Sequence, residues 1–113
     1  MSQRLLVLST VGDAEAAEQI ARDVVGKGLA ACVNIIPEIR SIYSWKGKIE
    51  SDAERLLVMK TTSERFEALR AAIVGRHPYE VPEVIAVPIE RGHTPYLEWL
   101  DAACAETDRE SGC

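Results

Sequence analysis

Apolar residues gather along the chain in four short, dense runs: Leu5-Leu6-Val7-Leu8, Ala31-Cys32-Val33, Leu56-Leu57-Val58-Met59 and Val84-Ile85-Ala86-Val87. None alternates with polar residues as a strand with one wet face would, so each reads as a strand that is apolar on both sides. Between them the period changes to that of helices. After a first strand from Arg4 to Val11, Asp13 stands where a helix N-cap belongs, and Ala17, Ile20, Ala21 and Val24 recur on one helical face up to a stop at Gly28. Ala30 to Ile36 starts a second strand. Pro37 interrupts it as a bulge, and Ile39, Ile42, Tyr43 and Trp45 carry it to a turn at Lys46-Gly47. Lys48 to Thr61 returns as a third strand, and Thr61 or Ser63 then caps a helix on which Phe66, Leu69 and Ile73 share a face. Glu83 to Ile89 makes a fourth strand. Thr94 as cap and Pro95 at the first helical position open a last helix that runs to about Ala105.

The order β-α-β-β-α-β plus a terminal helix predicts an α+β fold, the ferredoxin-like sandwich, in which two crossover helices cover one face of an antiparallel four-stranded sheet. In a monomer the other face would be wet. Strands that are apolar on both sides need a second cover, and the last helix is too short to supply all of it. The pattern therefore predicts a homo-oligomer whose sheets face inward. One domain is expected over residues 1–113, with a polar tail from about Glu106.

Charge narrows the partners. A net charge of −5 disfavours nucleic acid, whose affinity comes mainly from phosphate neutralisation by Lys and Arg, and makes cations the more natural small ligands. No apolar run approaches the roughly 20 residues of a spanning helix, so no membrane partner is expected. The run at Leu5-Leu6-Val7-Leu8 is too short for a signal-peptide core and predicts a cytoplasmic address. Cys32, Cys104 and Cys113 form no CxxC pair and are odd in number, which argues against a zinc knuckle or a disulfide framework. Cys32, inside an apolar run, is expected in the core.

The segment His77-Pro78-Tyr79-Glu80-Val81-Pro82-Glu83 holds the densest candidate chemistry. Each proline fixes its own φ and pushes its predecessor toward extended backbone, so the imidazole, phenol and carboxylates are presented in a nearly preset arrangement. His77 reads either as a metal ligand helped by Glu80 or Glu83, or as a cap for the negative end of the preceding helix. Tyr43 and Trp45 share one face of the hairpin and serve either as a stacking platform or as an oligomer contact. Lys60, in a strand otherwise apolar, can take an anion between subunits or pair with a carboxylate of another chain. The strands lack the aromatics of an RNA-recognition sheet, and Thr10-Val11-Gly12-Asp13 lacks the arginine of an acylphosphatase-like phosphate cradle. With no nucleophile and base pair and no glycine-rich phosphate loop, the chain is expected not to be an enzyme and to need no obligatory cofactor.

Leu29-Ala30-Ala31-Cys32-Val33-Asn34, Ser41 to Ile49 with its Tyr43-Ser44-Trp45-Lys46-Gly47 centre, Lys60-Thr61-Thr62, the His77 to Glu83 segment and Tyr96-Leu97-Glu98-Trp99-Leu100 together resemble the CutA family of divalent-cation tolerance proteins. The resemblance runs from about Leu5 to Ala103. It implies a PII-like homotrimer of ferredoxin-like subunits, cytosolic in bacteria, associated with tolerance of copper and other divalent metals and without established enzymatic activity; the other reading is a PII-like module for a small molecule or partner protein, with no metal role. It also implies a copper site formed by a cysteine near the end of the first strand and a histidine pair before the Pro-Tyr motif. Ser9 and Arg76 stand at those places here and leave His77 alone, so copper binding is expected to be weak.

Overall fold

The computed structural model describes residues 3–105, so the polar tail expected from Glu106, and Cys113 with it, lie outside the described residues. Strands β1 (Arg4–Val11), β2 (Cys32–Trp45), β3 (Lys48–Thr62) and β4 (Ile85–Pro88) form one sheet in the order β2-β3-β1-β4, with every neighbouring pair antiparallel. Helices α1 (Ala14–Gly26), α2 (Phe66–Arg76) and α3 (Thr94–Ala103) complete the mixed α and β fold.

Local chemistry sets most boundaries. Asp13 accepts from the Ala16 amide at 2.9 Å and caps α1. At its other end the Leu29 amide bonds the Val24 carbonyl and the Gly28 amide bonds that of Val25, with Gly28 at φ 71°. This pair of hydrogen bonds to the last carbonyls needs a left-handed residue, which glycine supplies without strain. Lys46 and Gly47 both have positive φ, the conformation of a two-residue hairpin turn between the paired Trp45 and Lys48. The register of β2 slips by one residue between Ile36 and Ile39, which places the expected bulge at Pro37.

Four local expectations need correction. Thr61 does not cap α2, because its hydroxyl donates to the Leu29 carbonyl at 2.6 Å and ties β3 to the loop after α1. Ser63–Arg65 instead form a 3₁₀ turn that leads into α2 without a side-chain cap. The cap position of α3 is His93, Thr94 already being helical, and the helix ends at Ala103. Strand β4 is four residues long, since β1 pairs it only over Leu5 to Leu8. Cys32 is half-buried at the start of β2 and not in the core, whereas Cys104 is buried.

Val7 and Val11 of β1 and Leu57 and Met59 of β3 share one face of the sheet and pack with Ala17, Ile20 and Val24 of α1 and Leu69 and Ile73 of α2. The two helices thus cover one face. On the other, Leu6, Leu8, Leu56 and Val58 are only half-buried, and Ile36, Ile85 and Val87 are exposed. Helix α3 is anchored at one end of the sheet, where both outer oxygens of Asp101 accept from the Arg4 guanidinium at 3.0 and 2.6 Å and Leu100 and Cys104 bury against Ala31. Beyond residue 54 toward the turn, β3 has no partner other than β2, so the β2–β3 hairpin projects from the sheet as a two-stranded arm.

Candidate functional site

The segment after α2 is shaped by its prolines and fastened by His77. His77 ends α2 in an extended conformation, as a residue before proline must, and its ring is buried. The Tyr79 amide donates to His77 Nδ1 at 3.1 Å, and Nε2 lies 2.8 Å from the Thr10 carbonyl. An amide can only donate, so Nδ1 accepts and Nε2 carries the hydrogen given to Thr10. Both ring nitrogens are thereby used to hold the Tyr79 backbone against the end of β1. The two rings lie 4.6 Å apart, centroid to centroid.

Tyr79, so placed, donates its hydroxyl to Glu54 Oε2 at 2.6 Å. Glu54 is only 5% exposed and sits opposite Ile39, just past the bulge. The hydroxyl occupies the space in front of Gly12, where a Cβ would lie 2.8 Å from it. The Gly12 carbonyl in turn accepts from Arg55. A second phenol and carboxylate pair stands on the hairpin arm, where Tyr43 donates to Asp52 Oδ2 at 2.5 Å. Because side chains alternate along a strand, Ser41, Tyr43 and Trp45 share a face with Asp52 and Glu54. That face and the proline segment enclose a groove of about 880 Å³, closed on the segment side by Tyr79, Glu80, Val81 and Glu83.

The carboxylates stabilise the protonated phenols. Burial, and then the hydrogen bond to Glu54, push the Tyr79 phenol well above the ordinary range, and the hydrogen bond to Asp52 pushes Tyr43 up to about 12. A phenol that holds its proton more tightly when folded adds stability below the unfolded value of about 10, which is lost as pH rises through the folded value. Ionisation of Tyr43 is therefore expected to lag that of a free tyrosine. Stability in urea should fall as pH climbs from about 10 to about 12, and less steeply in Tyr43→Phe. Phenolate absorbance tracks the ionisation, and simultaneous titration of all tyrosines at the ordinary value would contradict the pairing.

Of the residues singled out from the sequence, Tyr43, Trp45, Tyr79, Glu80 and Glu83 meet at this groove. His77 stands behind Tyr79 and does not line it. Lys60 is elsewhere, on the uncovered face of the sheet, donating to Asn34 Oδ1 with Cys32 Sγ 3.9 Å away. Arg76 pairs with Asp23 at 3.2 Å and links α2 to α1, and Ser9 is buried in the sheet with an unpartnered hydroxyl. His93 is exposed. No three His, Cys, Asp or Glu side chains are grouped to hold a metal ion among the described residues. Gly12, Asp52 and Glu54 were not anticipated as site residues. Glu50, Asp52 and Glu54 recur with period two, which puts all three on one strand face, and that was the available signal.

Comparison with known proteins finds relatives of the whole fold. The family described as CutA1 divalent ion tolerance protein matches residues 5–103. The mouse protein called Protein CutA is 55% identical over 91 residues, 80% of this chain and 51% of the relative, so the chain spans about half that protein's length. The Divalent-cation tolerance protein CutA of Thermus thermophilus is 47% identical over 95 residues, 84% of this chain and 92% of the relative. Among solved structures, CutA1 from Oryza sativa superposes with a TM-score of 0.89 at 44% identity, covering 93% of this chain and 96% of the other.

Proposed function

The chain belongs to the CutA1 divalent ion tolerance family, and from that premise we propose that it is a non-catalytic, homotrimeric binding protein of ferredoxin-like subunits, tied to divalent-cation tolerance, that takes its ligand in the groove beside Tyr79. The observation that carries the reading is the Tyr79–Glu54 pair: a nearly buried carboxylate held at the wall of a groove by a phenol that His77 and Gly12 keep in place. Rigidly held polar groups in a concave site suit selective binding. The imidazole nearest the groove is committed through both nitrogens to backbone groups, which speaks for a binding role over general base catalysis. Assembly is supported by the apolar face that α1 and α2 leave uncovered, and the number three comes from the family resemblance.

Divalent cations enter as cargo. A resident copper centre does not suit one chain, because a metal at His77 must displace the Tyr79 amide or the Thr10 carbonyl and would have Arg76 nearby in sequence. We expect Cu(II) to bind with a dissociation constant on the order of micromolar or weaker, because His77, the proposed principal donor with Glu80 or Glu83 secondary, must first give up one of these two hydrogen bonds. Calorimetric titration checks this in the unmodified protein and in His77→Ala, where binding should be lost. Nanomolar affinity retained in His77→Ala would place the site elsewhere. A second reading, a PII-like module for a small molecule or partner protein without a metal role, draws on the mixed aromatic and carboxylate lining of the groove.

A further inference from the structure

The lining of the groove is one-sided in charge. Asp52, Glu54, Glu80 and Glu83 contribute carboxylates, Tyr43, Trp45 and Tyr79 contribute rings, and among the described residues no Lys, Arg or His side chain lines it. We propose that the groove binds an organic ammonium ion, a primary amine carried on a flat apolar body. The inference rests on reading this groove as the ligand site and names the chemistry it selects.

Three observations converge on that class. First, Asp52 and Glu54 each accept a phenolic hydrogen bond, which fixes the carboxylate while leaving it acceptor capacity for N–H donors. Second, aromatic faces attract a cation whose charge is spread over an organic group, and the Trp45 ring already has the Lys46 ammonium 5.5 Å from its centroid. Third, the acids are not gathered as a cage of three metal donors among the described residues, so a cation that brings its own hydrogen-bond donors is better matched than a bare divalent ion. The volume of about 880 Å³ is that of a site for an organic molecule. Phosphates and other polyanions are disfavoured, since they would face four carboxylates that the one ammonium of Lys46 beside the Trp45 ring does not offset.

The test uses three probes of one shape and different charge: tryptamine, its neutral alcohol analogue tryptophol, and the anion indole-3-acetate. They are titrated into the assembled protein by calorimetry and by NMR of the Trp and Tyr ring signals, with the oligomeric mass recorded on the same samples. Tryptamine should bind, tryptophol at least about tenfold more weakly, and indole-3-acetate not measurably. Glu54→Gln should weaken tryptamine by about tenfold and bring it close to tryptophol. If Glu54→Gln folds poorly, the exposed pair Glu80→Gln with Glu83→Gln serves instead, with a loss of a few-fold expected. Equal binding of tryptamine and tryptophol, or a preference for the anion, overturns the ammonium assignment and leaves the groove as a site. Failure of all three to bind an intact oligomer overturns the assignment together with the reading of the groove on which it rests.

Discussion

Replacing Val58 by aspartate is expected to break the proposed trimer into folded or partly folded monomers. Val58 lies near the middle of β3, opposite Leu8 and Asn34, on the side that α1 and α2 do not cover. Its neighbours there include Leu6, Leu8, Leu56 and Ile85. An unpaired carboxylate buried between such surfaces costs several kcal/mol, and a symmetric trimer incurs that cost in every subunit. The subunit core should survive, because Val7, Leu57, Met59, Ile20 and Ile73 pack on the opposite side of the sheet. Val58→Thr, nearly the same shape with one hydroxyl, should weaken assembly without abolishing it. Trp45→Ala, at the tip of the projecting hairpin, should also weaken assembly before it disturbs the core. Sedimentation velocity with circular dichroism on the same samples separates lost assembly from lost folding. A Val58→Asp protein that stays trimeric would move the interface off this face.

The second large effect is expected at Gly12. A Cβ there would lie 2.8 Å from the Tyr79 hydroxyl, closer than such contacts tolerate, so Gly12→Ala must swing the phenol away. Glu54, 5% exposed, then loses the donor that satisfies it. A buried acceptor left unpaired costs about 1–3 kcal/mol, more when it is charged. Gly12→Ala should therefore lower stability by about 2 kcal/mol and remove ligand binding in the groove. Tyr79→Phe provides the comparison, because it deletes the same hydrogen bond without forcing the ring to move. Its cost should be the smaller of the two. Urea denaturation read by tryptophan fluorescence measures both, and unchanged stability in Gly12→Ala would show that the phenol is not held against the glycine.

These two positions also show what the sequence makes legible. The four strands, the three helices and their order follow from hydrophobic runs and turn residues, and the bulge at Pro37 and the turn at Lys46-Gly47 follow from single residues with fixed backbone preferences. Val58 belongs to this legible class, since a strand that is apolar on both sides announces a second packed face. Gly12 does not. Its role depends on Tyr79, 67 positions along the chain from it, and on the folded placement of His77 against Thr10, so only the three-dimensional structure brings them together. Thr61 misled for a related reason: a hydroxyl before a helix suggests a cap, but a long-range partner at Leu29 claimed it. His77 was read either as a metal ligand helped by Glu80 or Glu83 or as a helix cap, and neither reading could show that the fold turns both its nitrogens onto the backbone of Thr10 and Tyr79.

The most direct test is the mass of the unmodified protein in solution, measured by sedimentation equilibrium at concentrations reaching down to the micromolar range. The uncovered sheet face and the family resemblance predict the mass of three subunits, unchanged on dilution. A folded, stable monomer at those concentrations would show that this face needs no cover and would contradict the trimer.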